Sequence, residues 1–240
     1  MDKMEKITVC IVNYNTPDLT AAAVRSLWKH HPNCRIVVFD NSDRLPFGGL
    51  NRFNGQIEIV DNTKGQIIDF DSYLQQFPNK ETGSVNKSNY GSTKHALSVQ
   101  WIIDNTDEPF VLMDSDVLVF QSINCFCNPR YAFVAHIGCN TYRRFGLEIY
   151  RAEPLLCYIN APMLREYGIR YFNPDYMWAL SNVSPNNRYD TGAWLLKDVQ
   201  EHNLPYLDVD TSHYILHFGH GSWKEKDCSF WLENHKDLWL

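Results

Sequence analysis

No stretch of this 240-residue chain approaches the roughly 18–20 consecutive apolar residues of a membrane-spanning helix, so a protein built of such helices is excluded. The opening MDKMEKITVCIVNYN carries charge, but Asn13 and Asn15 cut its apolar run short, and a strand is expected there rather than a secretory signal. Positive charge is in deficit. Against 28 Asp and Glu stand 22 Lys and Arg, giving a formal net charge of −6. Binding to nucleic acid needs clustered Lys and Arg to neutralise phosphates, so no nucleic-acid partner is expected. Paired Cys-x-x-Cys motifs are missing, and the seven cysteines are odd in number. Cys10 and Cys157 lie inside apolar segments, and Cys125 and Cys127 form only a Cys-x-Cys. Buried thiols in a reducing cytoplasm are expected, rather than a disulfide framework or a zinc site. No glycine- and lysine-rich phosphate loop follows the first apolar run, where NYNTPDLT stands instead. Repeats, low-complexity tracts and an evident linker are also lacking, so residues 1–240 are expected to form one domain.

What is present is the composition of a globular α/β protein, with 44% hydrophobic and 21% charged residues. Aromatics reach 14%, which suits sugar or base stacking as well as a filled core. In the first half, short apolar runs alternate with helical patterns, which predicts a mostly parallel sheet with crossover helices. Strands are expected over Ile7–Val12, Arg35–Phe39, Gln56–Val60 and Phe110–Met113, with Val117–Phe120 continuing extended. Thr16-Pro17-Asp18 reads as a helix start, with Thr16 as N-cap, and Leu19, Ala23 and Leu27 form one apolar stripe as far as His30. A second helix is expected from Ser92 to Ile103, after a loop-rich stretch from Thr63 to Gly91. The second half reads as strands at Tyr131–His136, Leu155–Ile159 and Tyr214–His217. Helices are expected at Pro162–Tyr167, closed by Gly168, and at Thr191–His202. This mixed pattern predicts a smaller second subdomain.

Three first-half strands run into a carboxylate, at Asp40, Asp61 and Asp114, and ligands bind at that edge of an open α/β sheet. FVLMDSDVLVF is the most informative of these. An apolar strand delivers Asp114 and Asp116, one residue apart, into the sheet edge. Like charges so close oppose each other's ionisation, and a divalent cation removes the conflict. Hard oxygen ligands predict Mg²⁺ or Mn²⁺, either of which also holds a diphosphate.

ITVCIVNYN, RIVVFDNSD, NYGSTKHAL and FVLMDSD, in this order, resemble the family 2 glycosyltransferases of GT-A fold. The likeness covers about Ile7 to Phe120. It implies a GT-A domain whose residues 1–120 bind a nucleotide-sugar and whose residues 121–240 form the acceptor side. By motif, Asn13, Tyr14 and Asn15 would line the nucleotide pocket and Asp40 would accept from base or ribose. Asp114, Ser115 and Asp116 would frame donor and metal. The family's second strand usually ends in two acids, and here the second is Asn41. His95, near the start of the following helix, would face the donor or else lie on the helix surface.

In RYDTGAWLLKDV, Asp190 precedes a helix, where an Asp is often only an N-cap. The family places a catalytic acid in this region, so the resemblance implies Asp190 as the general base that deprotonates an acceptor hydroxyl. Trp194, a turn later, would be an acceptor platform or a packing residue. In YILHFGHGSWKEK, His217 ends a strand and would add an imidazole to the metal site, favouring Mn²⁺, with His220 as the alternative. Lys224 would neutralise the leaving diphosphate. This tail also resembles the His-Phe-x-Gly motif of the retaining family 8 transferases, although the N-terminal half does not. Arg143-Arg144 reads as a solvated face.

The expected function is therefore metal-dependent, inverting transfer of a sugar from a UDP-sugar to a glycan or lipid-linked acceptor. It would take place in the cytoplasm, with a peripheral contact at the inner membrane face allowed. A retaining transferase, a sugar nucleotidyltransferase, a glycoside hydrolase and a sugar-binding module are the rival readings.

Overall fold

Strand β1 (Thr8–Asn13) is buried along its whole length because it has partners on both sides and layers on both faces. Its side chains alternate between those layers. Val9 and Ile11 join a core with the helix α1 (Pro17–His30), while Cys10 and Val12 join one with α3 (Tyr90–Asp104). The computed structural model describes residues 7–48, 53, 56–75, 90–142, 147–173, 190–219 and 227–240.

α1 follows its predicted design, with Pro17 in the first turn, Asp18 after it, Lys29 and His30 in the last turn, and Leu19, Ala23 and Leu27 buried. The expected cap differs. Thr16 stands at the N-cap, but its hydroxyl donates to Asn13 Oδ1 at 3.2 Å instead of serving the helix amides. α3 buries Ala96, Val99 and Ile103 as predicted. Within the stretch expected to be loop-rich, a short helix α2 (Phe70–Gln75) forms, and residues 76–89 lie outside the described set.

β1 pairs in parallel with β2 (Arg35–Asp40) on one side and β4 (Phe110–Asp114) on the other, and β2 pairs in parallel with β3 (Glu58–Asp61). Beyond β4 lie β9 (Leu156–Ile159), antiparallel to it, then β6 (Phe133–Ala135) and β10 (Leu207–Asp208). The resulting seven-stranded order is β10-β6-β9-β4-β1-β2-β3, a mostly parallel sheet. β6 is shorter than the strand predicted at Tyr131–His136, because the chain leaves the sheet at His136 for a hairpin, β7 (Ile137–Tyr142) and β8 (Leu147–Ala152), which sequence reading did not foresee. α4 (Ala161–Glu166) is capped by Asn160, which accepts from the Met163 amide, and Gly168 follows it at φ +69°.

A ribbon crosses the site end of the sheet. β5 (Val117–Val119) pairs antiparallel with β11 (Ile215–His217). Helix α5 (Ala193–Glu201) begins two residues later than predicted, since Gly192 takes φ +84° ahead of it. Two short C-terminal helices, α6 (Ser229–Asn234) and α7 (Lys236–Trp239), complete the chain, with Leu232 of α6 joining Leu19, Ala22 and Leu118 in a third core cluster.

Candidate functional site

Sheet register brings the informative side chains to one edge. Asn13 stands opposite Asp40, Asp40 opposite Asp61, and Val12 opposite Asp114. The order β4-β1-β2 reverses direction of travel at β1, so the crevice between the ends of β1 and β4 is a topological switch point.

Asp114-Ser115-Asp116 forms the turn from β4 into β5. Pairing of Val117 with His217 lays the end of β11 beside that turn, and the Phe218 amide donates to the Asp116 carbonyl at 2.9 Å. His217 Nε2 consequently lies 3.3 Å from Asp116 Oδ1. One ligand atom each from Asp114, Asp116 and His217 falls within a 4.8 Å span. Burial alone would lower the pKa of His217, but the hydrogen bond and charge of Asp116, with Asp114 and Glu153 nearby, hold it above its ordinary value. Two carboxylates and an imidazole, partly withdrawn from water and concentrated in this way, fit a divalent cation of the Mg²⁺ or Mn²⁺ kind.

His95, on α3, faces this centre. Its Nε2 is 3.3 Å from Asp114 Oδ1, and its Nδ1 is 3.0 Å from Thr191 Oγ1. Ser115 turns away, buried, with its hydroxyl 3.0 Å from that of Thr16.

The β1 end is organised by internal bonds. Asn13 is fully buried and donates through Nδ2 to Asp40 Oδ1 at 2.8 Å and to Ser42 Oγ at 2.9 Å. Asp40, expected to accept from base or ribose, faces inward instead. Its Oδ1 accepts from Asn13 and from the Ser42 hydroxyl, and its Oδ2 from the Phe47 amide at 2.7 Å. Buried carboxylates require such donors, and they orient Asp40 toward the turn that follows β2. Tyr14 and Asn15 remain partly exposed and grip Asp43, the Tyr14 hydroxyl donating to Oδ2 at 2.9 Å and Asn15 Nδ2 to Oδ1 at 2.7 Å. Asn15 adopts φ +56°, from which its Oδ1 accepts the Arg44 and Leu45 amides. Burial and the bond to Asp43 push the Tyr14 phenol up to about 12. The Lys94 ammonium sits 4.9 Å from the Tyr14 ring centre, and burial lowers its pKa against the opposing charges of Asp43 and Asp71.

Asp190 is not a helix cap, since Gly192 stands between its residue and α5 and the cap has no side-chain bond. Its carboxylate is engaged on both oxygens. Oδ2 accepts from Arg151 Nη1 at 2.6 Å, and Oδ1 accepts from Ser92 Oγ at 2.9 Å and the Thr191 amide at 2.8 Å. Arg151 also lies 3.7 Å from Glu153. Gly192 is required here, because a Cβ would meet the Ala152 carbonyl oxygen at 1.9 Å, so α5 and β8 approach as closely as glycine allows. Trp194 is partly exposed on α5, with the Lys197 ammonium 4.9 Å over its ring. Lys224, His220 and Arg143-Arg144 lie outside the described residues.

Fold thus gathers Asp114, Asp116, His217, His95 and, through Thr191, the Asp190 loop. Sequence reading missed Arg151, Glu153, Tyr171 and Asp43 as neighbours of the site. The Arg-x-Glu spacing of Arg151 and Glu153 was the available signal, since alternate residues of a strand share a face, but it needed β8 to be recognised first.

No protein-family model matches the chain, and no curated protein matches it in sequence. Solved structures do. The glycosyltransferase GlyE of Streptococcus pneumoniae TIGR4 matches at TM-score 0.50 and 14% identity, over 87% of this chain and 46% of its own. Mouse xyloside xylosyltransferase 1 matches at TM-score 0.53 and 12% identity, over 97% and 91% respectively. An active-site mutant of LgtC matches at TM-score 0.50 and 13% identity, over 85% and 73%. The fold is GT-A. This GT-A chain spans less than half the length of the GlyE chain that it matches. Likeness at these identities extends to the GT-A architecture expected from sequence, and does not establish membership of family 2. Among the described residues, no helix is long and apolar enough to cross a membrane.

Proposed function

We propose that the protein is a metal-dependent glycosyltransferase that moves a sugar from a nucleotide-sugar, a UDP-sugar, to a hydroxyl of a glycan or lipid-linked glycan. The reading is carried by one observation, the convergence of Asp114, Asp116 and His217 within 4.8 Å at the carboxyl edge of a GT-A sheet. Mn²⁺ or Mg²⁺ held by these three residues would supply positive charge against the diphosphate as the sugar leaves. Around it, Tyr14 and Asn15 border the donor side, with Asn13 and Asp40 holding their turn from behind and Ser115 bonded inward to Thr16. Lys224, seven residues after His217 in the sequence, would add positive charge against the diphosphate, and Trp194 offers an aromatic face to the acceptor. Residues 1–120 serve the donor and 121–240 the acceptor, in a cytoplasmic enzyme.

Stereochemistry turns on Asp190. Under inversion it is the base that takes the acceptor proton, and Arg151 must release Oδ2 for that to happen, because the lone pair that would take the proton is engaged by the guanidinium. The engagement of both Asp190 oxygens favours a second reading, in which Asp190 is an anchor for Arg151 and transfer retains the anomeric configuration. Proton NMR of the fresh product separates the two, through the anomeric coupling relative to that of the donor.

The reading as a whole is tested by thermal stability against nucleoside diphosphates, with and without Mn²⁺. A ligand at a hundred times its Kd adds about 2.7 kcal/mol, or about 5–10 °C for a domain of this size. A Mn²⁺-dependent shift with UDP that Asp116→Ala abolishes is the expected result. No shift with any nucleotide would transfer the weight to a hydrolase or a sugar-binding module.

A further inference from the structure

Two buried hydroxyls lead from the protein core toward His95 and the Asp114 carboxylate. Tyr171 is 2% exposed, and its hydroxyl lies 3.0 Å from Thr191 Oγ1. Thr191, also buried, places that same oxygen 3.0 Å from His95 Nδ1, and His95 Nε2 lies 3.3 Å from Asp114 Oδ1. Donor and acceptor capacities set the direction. His95 Nε2 is buried and, among the described residues, makes no hydrogen bond; the group it faces is the Asp114 carboxylate at 3.3 Å, so in the neutral imidazole a lone pair there would be repelled, while an N–H is attracted. With the proton on Nε2, Nδ1 is an acceptor and the Thr191 hydroxyl must be its donor. A hydroxyl has one proton, so Thr191 then accepts from Tyr171. Each group uses its single donor once.

We propose that Tyr171, Thr191 and His95 form a directional hydrogen-bond relay whose last link, His95 Nε2 against the carboxylate, is electrostatic and holds Asp114 in the orientation for cation binding, with Tyr171 and Thr191 as positioning residues. The inference rests on the metal reading above. Its physical basis is that a carboxylate at a strand tip rotates freely unless a partner fixes it, and partners behind metal ligands commonly carry about 10–100-fold in metal affinity. The relay also has a geometric consequence. Thr191 donates its backbone amide to Asp190 Oδ1 while its side chain engages His95, so one residue ties the orientation of Asp114 to that of Asp190. Metal side and acceptor side are thereby held in fixed relation across the cleft.

The experiment is a titration of the whole protein with Mn²⁺ alone, following free Mn²⁺ by electron paramagnetic resonance, with melting temperature measured in parallel. T191V keeps the side-chain volume and removes the hydroxyl, and should weaken Mn²⁺ by about 10-fold or more. T191S restores the hydroxyl and should return the affinity to near wild type, which a loss of packing would not predict. Y171F removes one oxygen from a buried ring and should weaken Mn²⁺ by about 3-fold, the worth of one neutral hydrogen bond. It keeps the test decisive if T191V fails to fold. Unchanged affinity in T191V and Y171F overturns the relay, as does a T191S as weak as T191V. D116A is the separating control. If it binds Mn²⁺ as tightly as wild type, or if wild type binds none, the metal reading itself falls and the relay with it.

Discussion

At the end of α1, a neutral imidazole takes the place of a backbone acceptor. His31 Nε2 accepts the Ile123 amide at 3.0 Å and is almost wholly buried. Burial, and then the charge of the adjacent His30, hold its pKa below the ordinary 6.5. The sign follows from proton linkage. As pH falls below about 6.5 the unfolded chain binds this proton first. The stability contributed by His31 is therefore present above about 6.5 and lost as pH falls from there through the lower folded-state pKa. His31→Gln keeps an acceptor without titrating, so urea unfolding between pH 7.5 and 5 should show a flatter slope in the variant. His217 is raised, so its contribution is lost as pH rises, the opposite direction, and the difference between the two proteins isolates His31. An identical slope in wild type and variant would remove the role given to His31.

At the scale of elements, the ends of β2 and β3 are tied to α3 by amides. Asn41 Nδ2 donates to Ser98 Oγ at 2.5 Å, and its Oδ1 accepts from Asn62 Nδ2 at 3.0 Å. In the sequence Asn41 reads as a departure from a nucleotide-binding pair of acids. In the fold it is a buried linker that must both donate and accept, which a carboxylate cannot do. Asn41→Asp should cost about 1–3 kcal/mol in denaturant unfolding, from a buried unpaired group. Wild-type stability in this variant would return Asn41 to the ligand site. The hairpin β7–β8 was illegible for a related reason. Ile149 and Ala152 are buried in it among polar neighbours such as Glu148 and Arg151, so no clean apolar alternation marks the strands. β1, β2 and β4, buried on both faces, announced themselves as unbroken apolar runs.

Across the whole molecule, the C-terminal helices clasp the site from outside. Trp231 of α6 packs against Phe218 at 5.1 Å, the residue after His217, and Arg25 of α1 lies 5.6 Å from both the Phe53 and Trp239 rings. Lys29 donates to the Asp237 carbonyl at 2.7 Å. Trp231→Ala should therefore lower stability by about 1–3 kcal/mol and also reduce the Mn²⁺-dependent part of the melting shift, because it loosens the strand end that carries His217. Loss of stability with an undiminished Mn²⁺ increment would confine Trp231 to packing.

Local sequence determined the strand that delivers Asp114 and Asp116, the helices that flank it, and the mostly parallel character of the sheet, since apolar runs and turns act over a few residues; its GT-A class was legible only through resemblance. Asp40 and Asp190 could be located by the same means, but not their orientation. Whether a carboxylate faces a ligand, a guanidinium or its own backbone depends on partners distant in sequence. Only the tertiary structure decided that β11 would lay His217 against Asp116, that Arg151 and Ser92 would occupy Asp190, and that Thr191 would stand between His95 and Tyr171. Those contacts come from strand register and helix packing, and neither is written in any short segment of the chain.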